Sequence, residues 1–167
     1  MNILAGALKT SWGESNPTVI TARGDEFEQF VKTKLFPRDS YDILYKTPEY
    51  GDRRDRYFTP VNQPDCKYVS KNEGFEFFVE PRFRAGFQNQ ILEWGKFFDL
   101  NRCREMDMVL PVLIAIGLGG RPAAPERVFL VPARFAKFVK QYPSLMQKYE
   151  VEPGQSVSEA FLKRILD

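Results

Sequence analysis

The sequence predicts a single-domain α/β protein with a central mixed β-sheet flanked by helices. A nearly continuous apolar run, residues 109–116, is typical of a strand that is covered on both faces. Two further strand-like segments, 66–70 and 75–84, are joined by residues with good hairpin-turn chemistry, Asn72 and Gly74. Helices are expected on both sides of these strands, so the strands should form one sheet inside helical layers.

The first helix is expected to begin at Gly24. Asp25 would be its N-cap, and Glu28, three residues later, would complete a capping box. Apolar residues then follow at helical spacing: Phe27, Phe30, Val31 and Leu35. The helix should end at Pro37.

The other elements are expected in chain order as a strand at 41–46, the hairpin, a helix at 87–104, the apolar strand, a strand at 127–131, and helices at 133–141 and 158–166. A capping box of Ser156 and Glu159 would open the last helix. The glycine-rich segment 117–120 lacks the Lys-Ser/Thr of a phosphate loop, so we interpret it as a turn between strands.

Composition excludes several function classes. The 167 residues are 43% hydrophobic and 28% charged, which fits one globular domain and argues against disorder. The formal net charge of +2 gives no strongly basic surface for sequence-blind DNA binding. The chain contains no histidine, which excludes histidine-based catalytic triads and imidazole metal sites.

We expect a cytoplasmic protein. The two cysteines, Cys66 and Cys103, lie far apart and match no metal or redox spacing, which suits a reducing compartment. No basic leader precedes the apolar stretch near Met1, and no segment approaches 18 consecutive apolar residues, so no membrane span is expected.

The hairpin carries the candidate functional residues. Asp65 stands at the entrance of its first strand, and Glu80 and Arg82 lie two residues apart on the second, so these two point to one face. Such a polar pair is costly to bury without partners. If the hairpin brings the two carboxylates together, they suit a hard divalent cation such as Mg²⁺.

In this region the chain resembles the PD-(D/E)XK nuclease superfamily, which includes restriction endonucleases and Holliday junction resolvases. The resemblance rests on Pro64-Asp65, on Glu80-Pro81-Arg82 after the hairpin, and on the helix from Gly24. The order of helix, three-stranded meander, helix and strand also matches. It implies a restriction-endonuclease-like core at 24–131, after an N-terminal extension, 1–23, and before C-terminal helices, 132–167.

The resemblance implies a metal-dependent endonuclease that hydrolyses DNA phosphodiester bonds with Mg²⁺ or Mn²⁺. Asp65, Glu80 and the carbonyl of Pro81 would hold the metal, and Glu28 could act through water. Arg82 replaces the motif's lysine. Because arginine is always protonated, it can hold a phosphate or stabilise charge but cannot act as a general base. A lysine from elsewhere could take the missing place.

Further expectations concern the substitute lysine, the backbone of the second hairpin strand and the nucleic-acid partner. Lys67 and Lys96 are the candidates for the lysine, and Pro81 predicts a bulge because it lacks the N–H of a ladder bond. Phosphate contacts are expected from Arg53, Arg54, Arg56 and Arg84. The resemblance also makes a homodimer plausible.

Two alternatives stay open. The chain could be a catalytically inactive relative that keeps the fold to bind nucleic acid or a protein partner. It could also be a structural α/β domain, in which Asp65 is a turn residue, Glu80 and Arg82 form a salt bridge of little energetic value, and Glu28 is only a capping residue.

Overall fold

The computed structural model describes residues 17–46 and 66–167, and the side chains of residues 23–44 and 66–167. The strands are β1 (Tyr41–Lys46), β2 (Cys66–Ser70), β3 (Glu76–Arg84), β4 (Leu92–Glu93), β5 (Val112–Arg121), β6 (Ala124–Pro132), β7 (Lys140–Gln141) and β8 (Glu150–Val151). The helices are α1 (Pro17–Phe30), α2 (Phe97–Asp107), α3 (Pro143–Met146) and α4 (Glu159–Leu166). A π-helical turn, Val31–Leu35, extends α1, and short 3₁₀ turns occupy Ala133–Phe135 and Gln147–Tyr149.

One mixed sheet organises the molecule. Within the described residues its six strands lie in the order β1-β2-β3-β5-β6-β8, and β4 pairs separately with β7. The β3–β5 pair is parallel, whereas the other neighbours in the large sheet are antiparallel. The predicted single α/β domain with a mixed sheet flanked by helices is therefore confirmed.

Helices α1 and α2 cover opposite faces of this sheet. The Phe27 ring of α1 lies 5.9 Å from the Phe83 ring of β3 and directly over Gly117 of β5, where any side chain would clash with the ring. On the other face, Arg102 of α2 contacts Glu80 of β3. Residues 112–119 are buried without interruption, as expected for a strand covered on both faces.

The hairpin prediction is confirmed at its centre. Strands β2 and β3 pair from Cys66 with Val79 to Val69 with Glu76, and the predicted strand at 41–46 matches β1. The predicted apolar strand is present, but it begins three residues later than expected, at Val112. The predicted turn at 117–120 is wrong, because these residues belong to strand β5, whose pairing with β6 continues to Arg121 and Ala124.

The first helix begins seven residues before the predicted start. Pro17 is its first residue, and proline is favoured there because its fixed φ suits the first turn and its missing N–H is not needed. Asp25 and Glu28 therefore lie inside the helix, and the predicted capping box is wrong. Regular structure therefore reaches into the predicted extension, 1–23.

The predicted helix at 87–104 is wrong in its first half. Gln88 forms an isolated bridge with Ile91, and Asn89 and Gln90 have positive φ values of 53° and 63°, which an α-helix excludes. Regular helix starts only at Phe97. Part of this segment, β4, instead pairs with β7, which lies far along the chain. Local apolar periodicity does not reveal such a contact.

The tail is not simply helical. The predicted helix at 133–141 is a 3₁₀ turn followed by β7, and β8 extends the main sheet by pairing with β6. The last helix is present, but its cap is Ser158, whose hydroxyl oxygen accepts a hydrogen bond from the Phe161 N–H at 3.1 Å, instead of Ser156. Within the part of the chain described, no helix has the length and apolar character needed to cross a bilayer.

Candidate functional site

Glu80 is a fully buried carboxylate on β3. Its side chain is 1% exposed, and its Oε1 atom accepts hydrogen bonds from two guanidinium groups. One is Arg82, two residues along the same strand, and the other is Arg102 of α2 at 2.5 Å. Buried charge of this kind persists only when it is paired, so the two arginines stabilise the ionised carboxylate inside the protein.

A second carboxylate completes this cluster. Asp99 lies 3.2 Å from Arg82 Nη2 and 3.9 Å from Arg102 Nη2. Its other oxygen accepts a hydrogen bond from the Lys96 N–H at 2.7 Å, which fixes the start of α2. Two acids and two guanidinium groups thus balance one another, and we refer to Glu80, Arg82, Asp99 and Arg102 as the Glu80 cluster.

The sequence predicted only half of this cluster. Asp99 and Arg102 lay inside the predicted helix 87–104 and stand three residues apart, so they share one helix face. Their spacing could have identified them as a polar pair. Nothing local indicated that this face meets Glu80, because that contact depends on how α2 packs against β3.

The buried thiol beside the cluster is not a nucleophile. Burial, followed by the negative charge of Glu80, raises the pKa of Cys103 to about 12. The thiolate is the reactive form of cysteine, and it is scarce at neutral pH when the pKa is this high. Cys103 therefore serves as a packing residue on the buried face of α2.

Pro81 interrupts no ladder bond with β5. The Phe78 N–H donates to the Pro111 carbonyl at 2.8 Å, so the backbone groups of even-numbered β3 residues face β5. The Phe75 carbonyl accepts from the Ser70 N–H at 2.9 Å, so those of odd-numbered residues face β2. Pairing of β3 with β5 runs through Pro81 without a register shift, and the expected bulge is not needed.

The orientation of the Pro81 carbonyl follows from the same alternation. It is directed towards the β2 side, beyond the last described β2–β3 pair, Cys66 with Val79. The oxygen is therefore not used in the β3–β5 ladder. Its neighbour in the chain, Glu80, directs its side chain towards α2.

Glu28 lies on the other face of the sheet. The Cys66 thiol donates to Glu28 Oε1 at 3.8 Å, and Cys66 pairs with Val79, whose side chain points away from α2. The structure thus places Glu28 near the start of β2 but on the α1 side. Among the described residues, no three acidic or cysteine side chains lie close enough to hold a metal ion.

Four predicted site residues, Asp65, Arg53, Arg54 and Arg56, lie outside the described residues. Asp65 directly precedes Cys66 in the chain.

Arg84 has a structural role. Its Nε donates to the Glu93 carbonyl at 2.7 Å, Nη1 to the Phe83 carbonyl at 2.7 Å, and Nη2 to the Trp94 carbonyl. Burial, followed by repulsion from Arg82, lowers its pKa. Arg84 therefore anchors the segment around β4, and a nucleic-acid contact would have to use its remaining N–H groups.

Of the two lysines considered as substitutes, Lys67 pairs with Glu76 at 2.9 Å. Lys96 is better placed, because it lines a cavity of about 550 Å³ together with Arg82 and Asp99. The cavity continues past the cluster along the end of β3, where its other charged lining residues are Arg84, Glu93 and Lys140.

The fold is that of restriction-endonuclease-like proteins. The structure is similar to that of the Holliday junction resolvase Hjc from the archaeal hyperthermophile Archaeoglobus fulgidus, with a TM-score of 0.53 and 14% sequence identity. The similarity covers 77% of this chain and 95% of the resolvase. No protein-family model matches the sequence, and no curated protein matches it significantly.

Proposed function

We propose that this chain is a metal-dependent nuclease that hydrolyses DNA phosphodiester bonds, with Asp65, Glu80 and the Pro81 carbonyl as ligands of Mg²⁺ or Mn²⁺. One observation carries the proposal. A fully buried carboxylate, Glu80, stands on a central strand of a restriction-endonuclease-like sheet, and the carbonyl that follows it faces away from β5.

The register of the hairpin supports a role for Asp65. Cys66, the first residue of β2, pairs with Val79, and these two residues are the chain neighbours of Asp65 and Glu80.

Charge also favours a cation and a phosphate here. The Glu80 cluster is neutral, so an adjacent Asp65 would give the site one negative charge. A divalent cation would reverse that sign, and one phosphodiester would then restore neutrality. The cation supplies polarisation of the phosphodiester and activation of bound water. Arg82 holds Glu80 in place and offers its guanidinium to a phosphate oxygen.

The oxygen donors fit Mg²⁺ or Mn²⁺, which prefer carboxylate and carbonyl ligands. The described residues supply one carboxylate and one carbonyl, so the fit depends on Asp65. It also requires Glu80 to share its carboxylate between the metal and the two arginines. Glu28, on the α1 side, would act only through water at the edge of the site.

A catalytically inactive nuclease fold that binds nucleic acid is the second candidate. It is favoured by the two guanidinium groups on Glu80 Oε1 and by arginine in the lysine position. In that case the ion-pair cluster replaces the metal and maintains the fold. Nucleic-acid binding would then persist without hydrolysis.

We further infer that DNA is the partner, that Arg53, Arg54 and Arg56 contact its phosphates, and that the protein is a cytoplasmic homodimer.

A metal titration tests the proposal. The melting temperature should rise with Mn²⁺ or Mg²⁺, because a ligand of the folded state stabilises it by about 2.7 kcal/mol at 100 times its Kd. Asp65→Asn should abolish both this rise and the cleavage of plasmid or branched DNA. Asp42→Asn is the matched control, because Asp42 is a 60% exposed carboxylate on β1. A metal-induced rise that survives Asp65→Asn would refute the ligand assignment.

Arg82→Lys separates the two candidates. Lysine keeps the positive charge beside Glu80 and restores the residue of the motif. Increased cleavage would show that the site is a nuclease site limited by its arginine. DNA binding without cleavage in both forms, and without a metal-induced rise, would establish the inactive fold.

A further inference from the structure

The segment 133–149, between β6 and β8, has an unusual outward face. It contains four basic side chains and no aspartate or glutamate. Its inward positions are filled by buried residues, including Ala136, Met146 and Tyr149. Its outward positions carry large apolar groups that are 42–69% exposed: Phe135, Phe138, Tyr142 and Leu145.

Basic residues interleave with these aromatic groups. Lys137 and Lys148 make no ion pair with the described acidic side chains, whereas Lys140 lies 4.0 Å from Glu93. We call the exposed set the basic–aromatic surface; its members are Phe135, Lys137, Phe138, Lys140, Tyr142, Leu145 and Lys148. An outward face with several exposed aromatics in so short a stretch is typical of a binding surface.

Backbone contacts attach this surface to the candidate site. Strand β7 pairs with β4, and the Trp94 N–H donates to the Val139 carbonyl at 3.1 Å. The Trp94 indole N–H donates to the Phe138 carbonyl at 3.4 Å. Lys140 lines the same cavity as Lys96 and Arg82. Lys140 therefore joins the segment of exposed aromatics to the cavity, which Arg82 and Asp99 of the Glu80 cluster also line.

The cavity is positively charged. Within the described residues, the four charges of the Glu80 cluster cancel, and Glu93 offsets Lys140. Arg84 and Lys96 then remain in excess, so the cavity complements an anion. Aromatic faces beside a cationic groove are the combination that binds unpaired bases and their phosphates.

We propose that the basic–aromatic surface binds single-stranded DNA and leads it into the cavity beside Glu80. Bases stack on Phe138 and Tyr142, and phosphates contact Lys137, Lys140 and Lys96. This inference deepens the proposed nuclease function, because it defines the substrate as DNA that contains unpaired nucleotides.

The test is fluorescence anisotropy with a labelled oligo-dT of about 16 nucleotides, measured in EDTA so that no hydrolysis occurs. A blunt duplex hairpin is the comparison. Oligo-dT should bind more tightly than the duplex. Phe138→Ala with Tyr142→Ala should weaken oligo-dT binding by about 5- to 150-fold per stacked base, and Leu44→Ala, which truncates a 51% exposed side chain on edge strand β1, should not.

A lysine pair tests the electrostatic part. Lys137→Gln with Lys140→Gln should reduce the magnitude of the slope of log K against log salt by about 1.4, since each phosphate contact on a single strand contributes about 0.7. Lys71→Gln, at the hairpin turn, is the control. Circular dichroism of each variant verifies that the fold is intact.

Three results would overturn the inference. Oligo-dT binding could be unchanged by the double aromatic substitution, the duplex could bind as tightly, or the surface could instead join two copies, seen as a dimer that the aromatic substitutions dissociate. Failure of the nuclease proposal alone would give a different experimental result. Oligo-dT would still bind in EDTA through Phe138 and Tyr142, but no DNA would be cleaved with metal.

Discussion

Glu80→Gln tests whether the buried ion cluster stabilises the fold. The substitution preserves shape and removes one of the two negative charges that balance Arg82 and Arg102. Breaking a buried pair by removing one partner typically costs about 3–5 kcal/mol. Asp99 remains 3.2 Å from Arg82 and 3.9 Å from Arg102, so it retains part of the attraction. We therefore expect a loss near the lower limit, about 3 kcal/mol.

This loss should be measured by urea unfolding, as a lower midpoint at an unchanged m-value. For a chain of this size, about 3 kcal/mol corresponds to a fall in melting temperature of about 6–12 °C. Glu76→Gln is the matched control. It removes a 40% exposed carboxylate from the same strand, 2.9 Å from Lys67, and should cost less than about 1 kcal/mol. Equal small losses in both variants would refute the reasoning.

Three further predictions concern packing and titration. Gly117→Ala should destabilise the fold by about 1–3 kcal/mol, because the new methyl group would clash with the Phe27 ring. Gly24→Ala is the control, because a methyl group there enters open space. Equal urea midpoints for the two variants would contradict this packing. Burial, followed by Glu159, raises the pKa of Tyr41 to about 12, above its ordinary value of 10.0. The neutral Tyr41 hydroxyl therefore stabilises the folded state fully below pH 10, and this stabilisation is lost as the pH rises through 12. Tyr41→Phe should remove this pH-dependent contribution. An unchanged loss of stability at alkaline pH, measured in urea titrations, would argue against it. Cys103 should react with iodoacetamide at neutral pH only on unfolding, because burial raises its pKa to about 12, and rapid labelling of the native protein would contradict that assignment.

Much of the fold was predictable because its signals are local. The hairpin has turn residues between two strand-like segments, and β1 has a short apolar pattern bounded by polar residues. A buried run such as 112–119 indicates coverage on both faces wherever it occurs. These patterns fixed the order of the central elements and the position of Glu80 and Arg82 on one face of a strand.

The secondary-structure predictions fail where contacts between distant segments override the local apolar pattern. Segments 87–96 and 133–141 have helical apolar spacing, yet β4 and β7 within them pair with each other. Half of the candidate site was missed for the same reason. Asp99 and Arg102 became partners of Glu80 only because α2 packs against that face of the sheet.

The sequence by itself determined the absence of imidazole chemistry, the hairpin, and the E-x-R pattern that directs Glu80 and Arg82 to one face. Only the tertiary structure decided what surrounds Glu80: a second guanidinium from α2, a cavity, and an adjacent surface of exposed aromatics and lysines. The physical reason is that the direction of a side chain follows from the backbone period of two, whereas its partners depend on which distant segments pack against it.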